Sequence, residues 1–172
     1  MTYESSLNGR SVPTPFMVNL YVGLVKKDAL ESTIRSAVEL GVNKIVFLYT
    51  ENSQQYELNT TRLEKIVENA IEQSNCLFIP SLKSAKISEI DFSSIENPVL
   101  ASNRMKSELN LKESSEVSLF IGPEAGFTLS EEEMFISNNT QLVSIDCGIL
   151  RTRTAVPAII GYLHGCREKI DA

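Results

Sequence analysis

Two segments carry residues whose types and spacing suit them to chemistry. The first is Gly122-Pro123-Glu124-Ala125-Gly126-Phe127, which follows the apolar run at 117–121. The second covers 145–155 and reads Ile-Asp-Cys-Gly-Ile-Leu-Arg-Thr-Arg-Thr-Ala, after an apolar run at 142–145. Each is a glycine-containing loop at the end of a strand pattern, and the second opens into a helical pattern at 154–167. A helix start exposes unpaired backbone N–H groups. Arg151 and Arg153 bring two cations to the same place, where the helix dipole disfavours them unless they serve a ligand. Glycine at 122, 126 and 148 permits close backbone approach and positive φ. The two loops are therefore read as one ligand site built largely from main-chain groups. Neither contains the Gly-x-Gly-x-x-Gly fingerprint of dinucleotide folds or a P-loop lysine.

The rest of the chain must position these loops. Continuous apolar runs at 18–25, 44–49, 76–79, 98–101, 117–121 and 142–145 read as buried strands. Between them, Leu30, Ile34, Ala37 and Val38 recur at helical spacing, with Asp28 as N-cap, Glu31 in capping-box position and Gly41 as the stop. Leu63, Ile66, Val67, Ala70 and Ile71 mark a second amphipathic helix. Ser130 with Glu133 predicts a short helix reaching 137, and Pro157 falls in the first turn of the last helix, where its missing N–H is harmless. Residues 87–95 are weakly patterned, and 102–116 read as an exposed polar connection. Strands alternating with helices predict an α/β fold with a mostly parallel sheet, whose ligands bind beyond the strand carboxyl ends.

A length of 172 residues suits one domain with a sizeable core. The net charge of −6 means that any RNA contact must use a local basic patch. Cys76, Cys147 and Cys166 are odd in number and in no Cys-x-x-Cys spacing, so reduced thiols acting as small buried hydrophobes are expected, with no metal site. No apolar run approaches the roughly 18 residues of a membrane helix. The N-terminus lacks a secretory pattern, so a cytoplasmic location is expected. His164, the single histidine, is read as structural.

At the two loops the sequence resembles a known family. Residues 122–127 look like the GPEGGF loop of the ribosomal RNA uridine-N3 methyltransferases, the RsmE type within the SPOUT superfamily. Residues 148–155 look like that family's G-x-R-I-L-R-T-E-T-A segment. Glu39-Leu40-Gly41-Val42 and Glu72-Gln73 match its ELGV helix end and EQ pair, so the resemblance runs from Val18 to the C-terminus.

The resemblance implies a domain at 17–172 whose C-terminal part forms a trefoil knot. A tail or linker remnant at 1–16 would stand where the family has an N-terminal RNA-binding domain. Three loops would hold S-adenosylmethionine in a bent shape, through Leu100, Ala101, Ile121, Gly122, Pro123, Gly126, Ile145, Gly148, Ile149, Leu150 and Thr152. The reaction implied is methylation of N3 of a uridine in small-subunit (16S) ribosomal RNA. Arg151 would stabilise the uridine anion, with Glu124, Arg104 and Arg153 on the substrate side. A homodimer is implied through the last helix, whose Val156, Ile159, Ile160 and Leu163 share a face.

The sequence also departs from the family pattern. Ala125 replaces a glycine, Cys147 precedes Gly148 where the family has Gly or Pro before an arginine, and Arg153 replaces an acid. Ser36 and Cys76 replace basic residues. These departures support a second expectation, a catalytically weakened SPOUT-type module that binds RNA or the ribosome.

Overall fold

The computed structural model describes residues 16–74, 76, 78–102, 109–111 and 115–171, with side chains to 167. The expected tail at 1–15 and the candidate Arg104 lie outside the described residues. Phe16, assigned to the tail, instead packs against the core and meets His164 edge-on at 5.7 Å.

The strands are β1 Met17–Gly23, β2 Lys44–Tyr49, β3 Ser81–Lys86, β4 Pro98–Ala101, β5 Glu116–Ile121 and β6 Gln141–Val143. They form one sheet in the order β3-β2-β1-β5-β4-β6, and every neighbouring pair is parallel. The helices are α1 Lys27–Glu39, α2 Thr60–Ser74, α3 Leu129–Ser137 and α4 Thr152–Asp171. This is the expected α/β architecture, a parallel sheet flanked by helices.

Period-two alternation sorts the strand side chains between two cores. Leu20, Val22, Ile45, Phe47, Val99, Leu119 and Ile121 face α1, α2 and α4. Tyr21, Val46, Leu48, Leu100 and Phe120 face α3 and two turns of 3₁₀ helix at Ile87–Glu89 and Phe92–Ser94. On that second side Phe120, Phe127 and Phe135 form an aromatic cluster with centroids 4.9 and 5.0 Å apart. Phe127, the last residue of the first candidate loop, is thereby anchored in the core.

Five local expectations are corrected. The third strand starts after Pro80 instead of ending there. As an edge strand it carries the polar sequence Ser-Leu-Lys-Ser-Ala-Lys, while the apolar Phe78 and Ile79 before it stand exposed. The cap of α1 is Lys26, with Asp28 inside the first turn. The capping box of α3 is Thr128 with Glu131: the Thr128 N–H donates to Glu131 at 2.9 Å and the Glu131 N–H to the Thr128 hydroxyl at 3.3 Å. Helix α4 begins at Thr152, so Pro157 lies in its second turn and leaves the Arg153 carbonyl without a helical donor. Leu111, in the expected polar connection, is fully buried. Gly41 ends α1 as expected, at φ +71 with Val42 N–H bonded to the Ala37 carbonyl at 3.0 Å.

Glu31 cross-links two helices. Its carboxylate accepts from Arg35 at 2.8 Å and meets Arg62 of α2 at 3.7 Å. The Arg35 hydrogen bond, more than the charge of either arginine, holds this carboxyl below its ordinary value. The depressed value means that the stabilisation is complete above the unfolded-state value and is lost as pH falls through the folded one. The pair is partly exposed, so the effect is small. Glu31→Gln should lower the unfolding midpoint slightly at neutral pH, with the difference from the parent vanishing in acid, as thermal melts across pH will read.

Candidate functional site

Strands β5, β4 and β6 lie side by side, and the segments leaving their carboxyl ends enclose a cleft of about 350 Å³. Ala101 and Ser102 wall it after β4, residues 121–127 after β5, and residues 143–145 and 148–150 after β6. Thr152, Ala155 and Ile159 of α4 and Glu132 of α3 complete it. The three expected loops are thus brought together.

The loop after β5 closes on itself. The Gly126 N–H donates to the Pro123 carbonyl at 2.8 Å, and Gly126 sits at φ +75. Of the two reasons expected for Gly122, close approach is met and positive φ is not. A Cβ there would stand 3.0 Å from the Gly126 Cα and 3.1 Å from the Phe127 nitrogen. Ala125 is not in the left-handed region, so a side chain costs that position nothing in backbone strain. In the loop after β6, Gly148 has φ +80 with open space around it.

Other segments hold these loops in place. The buried Thr152 hydroxyl donates to the Gly122 carbonyl at 3.0 Å and ties the two loops together. Glu124 accepts from the Lys26 N–H at 3.3 Å, so it also satisfies a free donor where α1 starts. Asn52 donates to the Gly126 carbonyl at 3.1 Å. Gly23, at the end of β1, abuts Pro123 so closely that a Cβ would lie 2.4 Å from its Cδ and nitrogen. The Tyr56 hydroxyl donates to the Val25 carbonyl at 2.9 Å and steadies the same connection. Its burial, with Tyr49 and Glu124 nearby, pushes its pKa up and keeps it a donor.

The remaining candidates divide. Leu100 is corrected: it is buried on the opposite side of β4, in the aromatic core, and does not line the cleft. Arg151 and Arg153 are exposed and do not line it either. Arg151 contributes its carbonyl, which accepts the N–H groups of Thr154 and Ala155 at 2.8 Å and starts α4. Cys147 is exposed, not buried, and Cys76 and Cys166 are half-buried. Val156, Ile159, Ile160 and Leu163 are buried within the subunit against the sheet and α1, so the expected pairing face is already covered.

Sequence reading missed Gly23, Asn52, Glu132, Val143 and Ser144. Their part depends on tertiary approach, which no local motif signals. Among the described residues, the charged side chains on the cleft wall are Glu124 and Glu132, both acidic. A ligand with a positive centre suits such a wall.

The profile of the family described as RNA methyltransferase domain matches residues 12–164. This chain belongs to that family. Its curated relatives include the Ribosomal RNA small subunit methyltransferase E of Rickettsia conorii, 33% identical over 159 residues, which cover 88% of this chain and 65% of the relative. The protein of the same name from Aquifex aeolicus is 29% identical, with 87% and 69% covered. The chain thus spans about two thirds of the length of these RNA methyltransferases. Among solved structures, a Ribosomal RNA small subunit methyltransferase E from Neisseria gonorrhoeae bound to S-adenosyl methionine superposes with a TM-score of 0.80 at 27% identity, covering 88% of this chain and 67% of that one. A putative methyltransferase from Legionella pneumophila in complex with the bound cofactor shares the fold, with a TM-score of 0.78 at 22% identity and the same coverage.

Proposed function

We propose that this RNA methyltransferase domain binds S-adenosylmethionine in the three-loop cleft and methylates N3 of a uridine in small-subunit (16S) ribosomal RNA. The observation that carries this reading is the convergence of three strand-end loops on one cleft. The residues present fit the cofactor. About 350 Å³ of space lies within the usual range for small-molecule sites. Ile121, Ile145, Ile149, Leu150 and Ile159 offer apolar walls for a nucleoside, and the bare backbone at Gly122 and Gly126 offers hydrogen-bonding groups at close range. Ala101, Pro123, Gly148 and Thr152 complete the proposed contacts. When bound, S-adenosylmethionine supplies an electrophilic methyl on a sulfonium.

The chain's own part is to position and to balance charge. Glu132, on the cleft wall, would face the cofactor's positive centres, and Glu124 would stand on the substrate side. Arg151, beside two cleft residues, carries its guanidinium outward to the approaching nucleotide and stabilises the uracil anion left when N3 gives its proton to solvent water, before the anion takes the methyl and leaves S-adenosylhomocysteine. Arg153, with Arg104, meets the RNA backbone.

Titration calorimetry with S-adenosylmethionine, followed by labelled-methyl transfer to small-subunit particles, tests this. The product nucleoside should be 3-methyluridine by mass spectrometry. A folded protein that gives no heat of binding would sink the reading. The outward exposure of Arg151 and Arg153 favours a second reading, a module that binds cofactor and RNA with little transfer. Binding without product would select it.

We propose further that the chain is knotted and works in the cytoplasm as a homodimer. Helix α4 returns from the cleft to α1, and Arg167 donates to the Leu111 carbonyl at 3.2 Å, which ties the last helix to Leu111. Because the apolar stripe of α4 is covered, pairing must use its outer side, where Tyr162 is exposed and Gly161 and Gly165 leave open space, together with the exposed Ile149. Sedimentation at micromolar concentration should give a dimer; a monomer overturns this assembly.

A further inference from the structure

The connection between β2 and α2 contributes no residue to the cleft wall, yet it is built as a rigid bracket around one loop of it. The buried Ser53 hydroxyl donates to the Thr50 carbonyl at 3.0 Å and accepts from the Thr50 N–H at 2.9 Å. The Gln55 amide donates to the same Thr50 carbonyl at 3.1 Å and to the Ser53 hydroxyl oxygen at 3.2 Å. This knot of bonds fixes the turn before any ligand arrives. Two groups then point from the turn to either side of Phe127. The Glu51 N–H donates to Glu131 at 3.0 Å, at the start of α3, and Asn52 donates to the Gly126 carbonyl at 3.1 Å.

The Asn52 contact decides an orientation. All described peptide bonds are trans. In a trans peptide the carbonyl and the following N–H point in opposite directions. A Gly126 carbonyl held outward by Asn52 therefore turns the Phe127 N–H toward the inner side of the loop. Gly126 and Phe127 both line the cleft, and Asn52 does not. Gly126, at φ +75 and without a Cβ, has more freedom to turn its carbonyl than any other residue would, even with its N–H held by the Pro123 carbonyl. Nothing on the outer side of this peptide but the Asn52 amide holds its carbonyl in the described hydrogen bonds.

We propose that Asn52 is a positioning residue for the cofactor cleft. By fixing the peptide between Gly126 and Phe127, it presents the Phe127 N–H to an acceptor on the bound nucleoside. The inference rests on reading the cleft as an S-adenosylmethionine site. Asn52 acts through the loop and touches neither cofactor nor RNA.

The test uses the full chain with Asn52→Ala, Asn52→Asp and Asn52→Gln. Two quantities are read: amide hydrogen exchange at 126 and 127 without ligand, and calorimetric affinity for S-adenosylmethionine and S-adenosylhomocysteine. Asn52→Ala should speed exchange at these two amides and weaken both ligands about threefold to tenfold. Asn52→Asp, which sets a carboxylate against the carbonyl, should weaken them further. Asn52→Gln keeps the donor and should recover most of the affinity. The unfolding midpoint without ligand should stay near the parent's, because Asn52 is exposed.

Parent-like exchange and affinity in the alanine and aspartate variants would overturn the proposal. So would an affinity loss that Asn52→Gln shares and that follows a general fall in the midpoint. A parent chain that binds neither ligand condemns the reading of the cleft instead, and the exchange rates still decide whether Asn52 sets the loop.

Discussion

Gly23→Ala should displace the cleft loop and abolish cofactor binding. The added methyl would lie 2.4 Å from the Cδ and nitrogen of Pro123, far inside the roughly 3.5 Å at which carbon atoms meet. One side must move. Strand β1 is central in the sheet and paired on both sides, Val22 with Ile121 and Gly23 with Leu48, so it resists. The Pro123 side yields and carries Gly122 and Gly126 with it. Overpacking of this kind costs about 1–3 kcal/mol, which in a domain of this size lowers the unfolding midpoint by very roughly 2–12 °C. Affinity for S-adenosylmethionine should fall by more than the change in stability explains. Asn69→Ala is the control. It lies exposed inside α2 and away from the cleft, so alanine there should stabilise by about 0.5 kcal/mol. Calorimetry and thermal melts on both variants decide the matter; a Gly23→Ala protein that binds like the parent would show that the loop is not seated against β1.

Arg151→Ala should reduce methyl transfer about 10²–10³-fold, the usual effect of deleting one group that stabilises developing negative charge. Cofactor affinity should be unchanged, because the side chain does not line the cleft. The start of α4 should survive as well, since Thr154 and Ala155 bond to the Arg151 carbonyl and not to its guanidinium. Single-turnover transfer to small-subunit particles separates the two effects. Equal losses in transfer and in affinity would place Arg151 on the cofactor side and refute its assigned role.

Buried parallel strands were legible in the sequence because they are continuous apolar runs. Strands β2 and β4 occupy the expected residues, and β1 and β5 nearly so. Edge strand β3 was not legible, because only Leu82 and Ala85 reach a core and the other side chains face solvent. The cap of α1 was misplaced for a tertiary reason: Glu124 supplies the acceptor that Asp28 was expected to provide, from the loop after the neighbouring strand β5. Leu100 was assigned to the cleft by its loop, when strand parity turns its side chain to the other face. The two loops themselves were legible, since their glycines and threonine lie in short motifs. Their supports, Gly23 and Asn52, have no local signature. They matter only because the sheet sets β1 beside β5, with β2 the next strand along.

The neighbour that β1 needs on that side is made late. Met17–Val22 pairs residue for residue with Glu116–Ile121. A nascent chain emerges N-terminus first, so β1 waits for β5 through about 90 residues, or roughly 5–20 s at ordinary elongation rates. Until then one rail of its N–H and C=O groups is open, next to an uncovered apolar face. A fragment truncated before residue 116 keeps that rail permanently, and with it the means to zip onto another unfinished chain.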